Sequence, residues 1–160
     1  MALKGLFFAG ARGQQLFPVL ALKPSVVQDS IDGGEDQTIP MLSVNGLLLK
    51  DLQPLISKMN KYLPDNPQTG ISLHDGPHKF TITGPPRALY GLIANLHTIR
   101  APNGSDQSKV KFAKQKPVFS MCFLVMGVPF YSQYLQDAAD KVISQDLNGK
   151  KLWTAEGPQF

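Results

Sequence analysis

The order in which apolar periods change between residues 41 and 128 limits the folds open to this chain more than any other feature. Apolar residues recur there with strand-like and helical spacing in turn. The spacing predicts a strand from 41, a helix over 49–63, strands over 71–74 and 79–83, a helix from 85 and a strand over 118–128. The order β-α-β-β-α-β is typical of a ferredoxin-like split βαβ arrangement, so the sequence predicts an α+β fold.

Flanking segments are expected to add helices to this core. A loosely periodic pattern predicts a helix over 2–16, and Pro24 favours one short helical turn within an irregular segment over 17–40. Apolar spacing from Tyr131 to Ile143 predicts an amphipathic helix. At 160 residues the chain suits one domain, divided into a helix and connecting segment (1–40), a ferredoxin-like core (41–128) and a helix and tail (129–160).

Charge, cysteine content and hydropathy bear on the classes of partner. The net charge of +4 is spread along the chain, with one loose basic cluster, more typical of a solvated loop than of a phosphate or carrier-protein contact, at Lys109, Lys111, Lys114 and Lys116. No aromatic-interleaved basic stripe predicts a nucleic-acid partner, and no apolar segment has membrane-spanning length. The single cysteine, Cys122, lies in an apolar run, which predicts a buried, unreactive thiol and a cytoplasmic, reducing location.

The corner between the last predicted strand and the last helix is the first candidate site. Pro129 stops the apolar run, and Tyr131 follows at the mouth of the helix. A corner of this kind exposes a side chain while packing fixes its position, which favours a functional role for Tyr131.

Several motifs resemble one family. VPFYSQYLQDAADKV, ISLHDG, TITGPPRALYGL and the loop over 101–108 are similar to the acyltransferase (acetyl/malonyl transacylase) domain of the fungal fatty acid synthase β subunit, and the resemblance extends over about residues 6–147. It implies a ferredoxin-like subdomain inserted into a larger hydrolase-like body. In that family the residue after Pro-Phe is the catalytic histidine, whereas here it is Tyr131. Arg12-Gly13 matches an Arg-Gly pattern whose arginine pairs with the substrate carboxylate in malonyl-selective members.

Acyl transfer in this family also needs a serine on a G-x-S-x-G elbow. The chain has no such pentapeptide, and the nearest segment, Gly70-Ile71-Ser72-Leu73-His74, lacks the closing glycine. The resemblance implies that the elbow lies N-terminal to the start of this chain. Because a tyrosine side chain ordinarily has a pKa of about 10, Tyr131 is a poor general base at neutral pH. The sequence therefore predicts an acyltransferase remnant that does not itself transfer acyl groups.

Other side chains are candidates for a changed site. If the family geometry is kept, His74, Asp75 and Tyr131 surround the vacated cleft as acid–base groups, and Arg12 binds a carboxylate or enolate. Large, soft side chains that suit an acyl groove are Phe119, Met121, Phe123, Val125, Met126 and Phe130. The plainer interpretation is that His74 and Asp75 are turn residues and that the apolar stripe is core. Neither a metal site nor a cofactor is predicted, because His74 and His78 lie in a turn without a third ligand.

Three hypotheses follow for function. The chain binds an acyl or polyketide-like ligand, a carrier protein or another synthase subunit; or it is a repurposed enzyme of fungal secondary metabolism that cyclises, isomerises or hydrates a polyketide-like substrate; or it is a piece of a larger synthase. In each case the hydrolase-like layer that would cover one face is missing. An uncovered apolar face predicts self-association, as a homodimer with the cleft near the interface.

Overall fold

The computed structural model describes residues 2–16, 22–63, 68–102 and 104–147, so the predicted tail beyond 147 and part of the connecting segment lie outside the described residues. The helices are α1 (Ala2–Leu16), α2 (Pro24–Asp32), α3 (Leu49–Asn60), α4 (Pro86–Ile99) and α5 (Gln136–Lys141), and the strands are β1 (Met41–Asn45), β2 (Gly70–Gly76), β3 (Lys79–Thr83) and β4 (Ser120–Phe123). Short 3-10 turns occur at Gln107–Lys109, Phe112–Lys114 and Gln133–Leu135, and a π-helical turn at Val142–Asp146.

The strands form one four-stranded antiparallel sheet in the order β2-β3-β1-β4. Met41 pairs with Thr83 across β1 and β3, and Leu42 pairs with Phe123 across β1 and β4. The central strands are β1 and β3. The chain runs from β1 through α3 to the edge strand β2 and returns to β3 by a hairpin, as the split βαβ order requires. The predicted α+β, ferredoxin-like arrangement is confirmed.

The core lies between one face of this sheet and the helices α3 and α4. Alternate residues of a strand point to opposite faces, so each strand contributes every second side chain to the core. The buried members of this core include Leu42, Val44, Phe80, Ile82, Met121 and Phe123 from the strands and Leu52, Ile56, Leu89, Leu92 and Leu96 from the helices. Burial of each such large apolar side chain stabilises the fold by roughly 1.5–3 kcal/mol.

The helix predicted over 49–63 ends earlier, at Asn60, because the Asn60 side chain turns back to the chain ahead of β2. Its Nδ2 donates to the Thr69 carbonyl at 2.7 Å, and its Oδ1 accepts from the Thr69 N–H at 2.9 Å. One amide thus satisfies both backbone groups of Thr69, which is 2% exposed. This clamp fixes the start of β2 against the end of α3.

The strand predicted over 118–128 is wrong in its length, because only Ser120–Phe123 is strand. Leu124 still donates its N–H to the Met41 carbonyl at 3.0 Å, but β1 begins at Met41. Beyond Leu124 the chain therefore has no partner strand on the β1 side. The chain leaves the sheet there, and Val125 is 97% exposed.

The predicted burial of Cys122 is also wrong. Cys122 is exposed, because it faces the side of the sheet opposite to α3 and α4, while its neighbours Met121 and Phe123 face the core. An apolar run predicts a strand buried on both faces, whereas the helices α3 and α4 cover one face of this sheet and Cys122 lies on the other.

The C-terminal segment forms a second layer with α1. The predicted single helix from 131 is divided into a 3-10 turn, α5 and a π-helical turn, and α1 packs against all three. The two parts approach closely at Gly13, where an added Cβ would lie 2.7 Å from Val128 Cγ1 and 3.3 Å from Leu135 Cδ2. A glycine at this position lets the helix backbone contact the corner that carries Tyr131.

The two glycines of α1 give opposite predictions. Gly10→Ala meets no atom within 4 Å and gains helix propensity, so it is expected to raise the free energy of unfolding by about 0.5–1 kcal/mol. Gly13→Ala forces Val128 away and is expected to lower the free energy of unfolding by about 1–2 kcal/mol. Urea unfolding followed by far-UV circular dichroism measures both. A loss at Gly10 equal to that at Gly13 would contradict the packing described here.

Candidate functional site

The corner before α5 presents Tyr131 in an unusual backbone conformation. Val128 and Pro129 are buried, the Phe130 N–H donates to the Val128 carbonyl at 2.9 Å, and the Ser132 hydroxyl donates to the Pro129 carbonyl at 2.5 Å. Tyr131 lies between these bonds with a φ of +57° and a side chain that leaves the residue 73% exposed. A left-handed conformation at a bulky residue costs of order 1–3 kcal/mol and persists only where the surroundings fix it.

Tyr131 lines a cleft of about 310 Å³ between this corner and the sheet. We call it the Tyr131 cleft, and its lining is Gln68, Thr69, Gly70, Ile71, Ser72, Thr83, Tyr131, Ser132, Gln133 and Tyr134. Apart from Gly70 and Ile71, the lining residues have hydroxyl or carboxamide side chains, and none of them is an acid, a base or a metal ligand of the usual kinds. The cleft can therefore donate and accept hydrogen bonds to an uncharged ligand.

Tyr134 joins the two walls of the cleft. Its hydroxyl donates to the Gln68 carbonyl, directly before the Thr69 backbone that Asn60 holds. Burial raises the pKa of Tyr134 to about 12, because the phenolate is less well solvated there than in water. The corner and the start of β2 are thus fixed to each other by a neutral phenol.

Tyr134→Phe tests this bond. The variant is expected to lose about 0.5–1.5 kcal/mol of unfolding free energy near neutral pH. Because the folded-state pKa is raised, the contribution of the neutral phenol is complete below the unfolded-state pKa and is lost as pH rises toward about 12. Ultraviolet titration of tyrosinate should show one ionisation near pH 12 in the parent chain that is absent from the variant. Identical titration curves would contradict the assignment.

His74 and Asp75 point to opposite faces of the sheet. The His74 ring meets the Phe80 ring edge-on, with centroids 5.3 Å apart, at the margin of the helix-covered core. The Asp75 carboxylate accepts a hydrogen bond of 3.1 Å from the Thr81 hydroxyl, and Thr81 alternates with the core residues Phe80 and Ile82. Both residues are exposed, and β2 has register shifts on either side of His74. Bulges of this kind change the direction of side chains along an edge strand.

Arg12 is bound within the chain. Its Nε and Nη2 lie 3.0 Å and 2.9 Å from the two carboxylate oxygens of Asp146, a bidentate geometry. The hydrogen bonds raise the pKa of Arg12 and lower the pKa of Asp146. The stabilisation from this carboxylate is present above its unfolded-state pKa and is lost as pH falls through the lowered folded-state pKa. A substrate carboxylate would have to displace Asp146 to reach this guanidinium.

The apolar candidates divide between the core and a second cleft. Phe119 is 7% exposed within the core, and Phe130 is half-buried in the corner. Phe123 and Met126 line a cleft of about 240 Å³ beside the end of β4. We call it the edge cleft, and its full lining is Asp36, Gln37, Ile39, Phe123, Leu124, Val125, Met126 and Gly127.

The structure does not bring the predicted acid–base groups together. Tyr131 lines its cleft, whereas Arg12, His74 and Asp75 are not part of that lining. Within the described ranges no group of three or more His, Cys, Asp or Glu side chains could hold a metal ion. In the same part of the chain, no helix is both long and apolar enough to cross a membrane.

Sequence reasoning missed most of the Tyr131 cleft. Ser72 and Thr83 belong to the β2–β3 hairpin and Thr69 directly precedes it, while Ser132 and Gln133 lie in the corner. These polar residues follow no motif, and the two segments are joined through a tertiary contact, the Tyr134 bond to Gln68. The position of Tyr131 was the one signal available in the sequence.

Comparisons with known proteins give a consistent answer. No protein-family model matches the chain. The chain is similar to fatty acid synthase subunit beta of Saccharomyces cerevisiae (39% identical over 146 residues) and of Schizosaccharomyces pombe (38% over 160), and to fatty acid synthase beta subunit TOXC of Cochliobolus carbonum (39% over 142). These alignments cover 91%, 100% and 89% of this chain, which spans only 7%, 8% and 7% of the relatives.

The resemblance to fungal fatty acid synthase β subunits is therefore confirmed. These relatives are whole β subunits, and the similarity does not assign the matching segment to one of their domains. The acyltransferase origin and the catalytic and binding roles of individual residues therefore stay predictions.

Proposed function

Because the chain is homologous to a short segment of fungal fatty acid synthase β subunits, we propose that it has a binding role in fatty acid synthase-related metabolism and does not itself transfer acyl groups. The ligand is an uncharged, oxygen-bearing acyl or polyketide-like chain, and its site is the Tyr131 cleft. The observation that carries this proposal is the neutral, hydroxyl-rich lining around Tyr131.

The lining favours an oxygenated chain over a saturated one. Ser72, Ser132 and Gln133 border a cleft in which the only large aliphatic side chain is Ile71. Carbonyl and hydroxyl groups at intervals along a ligand would replace the water that otherwise satisfies these side chains. A saturated alkyl chain would leave the same polar groups without partners, which costs affinity.

The absence of acyl transfer is supported by the same residues. A covalent route needs a nucleophile with a base in hydrogen-bond reach. Within the described part of the Tyr131 cleft the hydroxyls of Ser72 and Ser132 have no imidazole or carboxylate beside them in the lining. Arg12, the candidate for a malonyl carboxylate, is already paired with Asp146.

Two assays on the full chain test the proposal. Incubation with acetyl- and malonyl-coenzyme A followed by intact-mass spectrometry should give no acyl adduct. Calorimetry should show binding of the N-acetylcysteamine thioester of a β-keto acid and weaker binding of the saturated thioester of equal length. Tyr131→Phe removes one hydroxyl and is expected to weaken binding of the β-keto probe roughly 3- to 10-fold.

Tyr62→Phe is the matched control, because Tyr62 is 82% exposed and does not line the Tyr131 cleft. Its affinity should equal that of the parent chain. A covalent adduct on the parent chain would overturn the non-catalytic part of the proposal. Equal affinity for the two probes, or equal losses in the two tyrosine variants, would overturn the assignment of the cleft.

A further inference from the structure

A protruding aromatic residue precedes β4 in the chain, and an apolar cleft borders the end of that strand. Phe112, in the loop that leads into β4, is 90% exposed. The edge cleft is built from the residues that end and follow β4, with Phe123, Val125 and Met126 in its wall. Neither feature is used by the proposed ligand site, whose lining shares no residue with them.

The Phe112 loop is ordered by side-chain bonds. Gln115 Nε2 donates to the carbonyls of Gln107 and Val110 at 3.0 Å and 3.1 Å, and Lys116 donates through its N–H to Gln107 Oε1 at 2.9 Å. The Lys116 ammonium donates to the Thr98 carbonyl at the end of α4, at 2.9 Å. An exposed aromatic ring on a preorganised loop loses little entropy on binding and is typical of an interface anchor.

The charges around Phe112 and around the edge cleft are opposite. Lys111 and Lys114 flank Phe112 and are exposed, and neither has an ion pair among the described residues. Asp36 lies in the wall of the edge cleft, held with a φ of +72° while its carbonyl accepts from the Ser30 hydroxyl. A Phe112 ring seated in the cleft would bring a lysine toward this carboxylate.

The β4 strand is an edge of the sheet, but the chain itself flanks the outward side of this strand at both ends. Ahead of the strand, the Ala101 N–H donates to the Pro117 carbonyl at 2.9 Å. A second copy therefore reaches this side through side chains beyond the strand rather than by pairing with its backbone. Because the Leu124 N–H bonds to β1, ladder alternation directs the backbone groups of Phe123 and Met121 away from β1. The Phe123 N–H is covered by the Glu35 carbonyl at 2.7 Å. Within the described residues, no such bond covers Met121.

Two other occupants fit less well. Two lysines and one aromatic ring fall short of the clusters of roughly four to eight basic residues that hold a protein on an anionic membrane. The edge cleft, at about 240 Å³, lies below the roughly 300–1,000 Å³ of most ligand pockets, yet it has room for one aromatic side chain.

We propose that two copies of this chain associate with Phe112 of each copy seated in the edge cleft of the other. The interface is isologous, so each copy contributes one anchor and one cleft. Lys111 or Lys114 of one copy faces Asp36 of its partner in both halves of the contact.

Sedimentation velocity of the full chain over a range of micromolar concentrations tests this arrangement. The parent chain should form dimers, and Phe112→Ser should raise the dissociation constant at least about tenfold. Phe7→Ser is the matched control, because Phe7 is also a largely exposed phenylalanine (70%) but lies in α1. Its dissociation constant should equal that of the parent chain.

A mixing experiment tests reciprocity. Met126→Arg fills the edge cleft and should abolish dimers by itself, while an equimolar mixture with Phe112→Ser should recover mixed dimers, because one anchor and one cleft remain intact. Far-UV circular dichroism confirms that each variant is folded. A monomeric parent chain, an unaffected Phe112→Ser variant, a mixture without mixed dimers, or assemblies larger than dimers would each overturn the proposal.

Discussion

Arg100→Met is expected to lower the free energy of unfolding by about 3 kcal/mol, because it removes a cation from the most deeply buried carboxylate of the described chain. The Glu35 side chain is 2% exposed, and its Oε1 lies 3.7 Å from Arg100 Nη1 and 3.0 Å from His97 Nε2. The His97 contact does not have hydrogen-bond geometry, so Glu35 Oε1 has no hydrogen-bond partner among the described residues. Urea unfolding followed by far-UV circular dichroism measures the loss.

A double-mutant cycle provides the control. Glu35→Gln keeps the shape of the side chain and removes its charge, and Arg100, which is more exposed at 14%, can then be solvated. The double variant Glu35→Gln/Arg100→Met should therefore be more stable than Arg100→Met alone. If the two single losses simply add, Glu35 is not held by Arg100.

Gly46→Ala is the second large effect, with an expected loss of about 2–5 kcal/mol of unfolding free energy. Gly46 follows β1 with a φ of +105°, and its N–H donates to the His78 carbonyl at 2.8 Å. An added Cβ would lie 3.0 Å from the Val118 carbonyl oxygen and 3.1 Å from Phe119 Cα. These are backbone atoms of the segment that enters β4, so they cannot move without displacing the strand.

Gly127→Ala is the matched control for Gly46→Ala. Gly127 has no atom within 4 Å of an added Cβ and no positive φ. Its unfolding free energy should stay within about 0.5 kcal/mol of the parent value. Thermal unfolding of both variants gives the two losses of stability. A loss at Gly46 but not at Gly127 is the result expected from backbone strain and close contacts at Gly46 rather than from replacing any glycine.

The sheet and its two covering helices could be predicted because their apolar residues repeat at one period for a whole element. Leu89, Leu92 and Leu96 mark α4 in this way, and all are fully buried. The length of β4 could not be predicted, since apolar residues continue to Val128 while the partner strand β1 begins at Met41. A strand ends where its partner ends, and sequence periodicity in one segment does not report that.

The candidate site was predictable only at Tyr131. Its place after Pro129-Phe130 is local, but the opposite wall of its cleft depends on Asn60 and Tyr134, which fix the start of β2 from two directions. The predicted convergence of His74 and Asp75 fails to form because neighbouring strand residues face opposite sides of a sheet. No sequence pattern in the irregular segment over 17–40 marks Glu35 as buried, yet its Oε2 lies 2.2 Å from where a Cβ on Gly33 would be, a position open because residue 33 is a glycine.

The layer formed by α1 and the segment after the corner has its own consequence for how the molecule opens. These helices pack mainly on each other, and the contacts described between that layer and the sheet include the Tyr134 bond to Gln68. Cooperative sub-global opening follows such boundaries. The layer can therefore detach while the four-stranded sheet stays folded, and its amide protons would exchange with solvent deuterium well before those of β1 and β3.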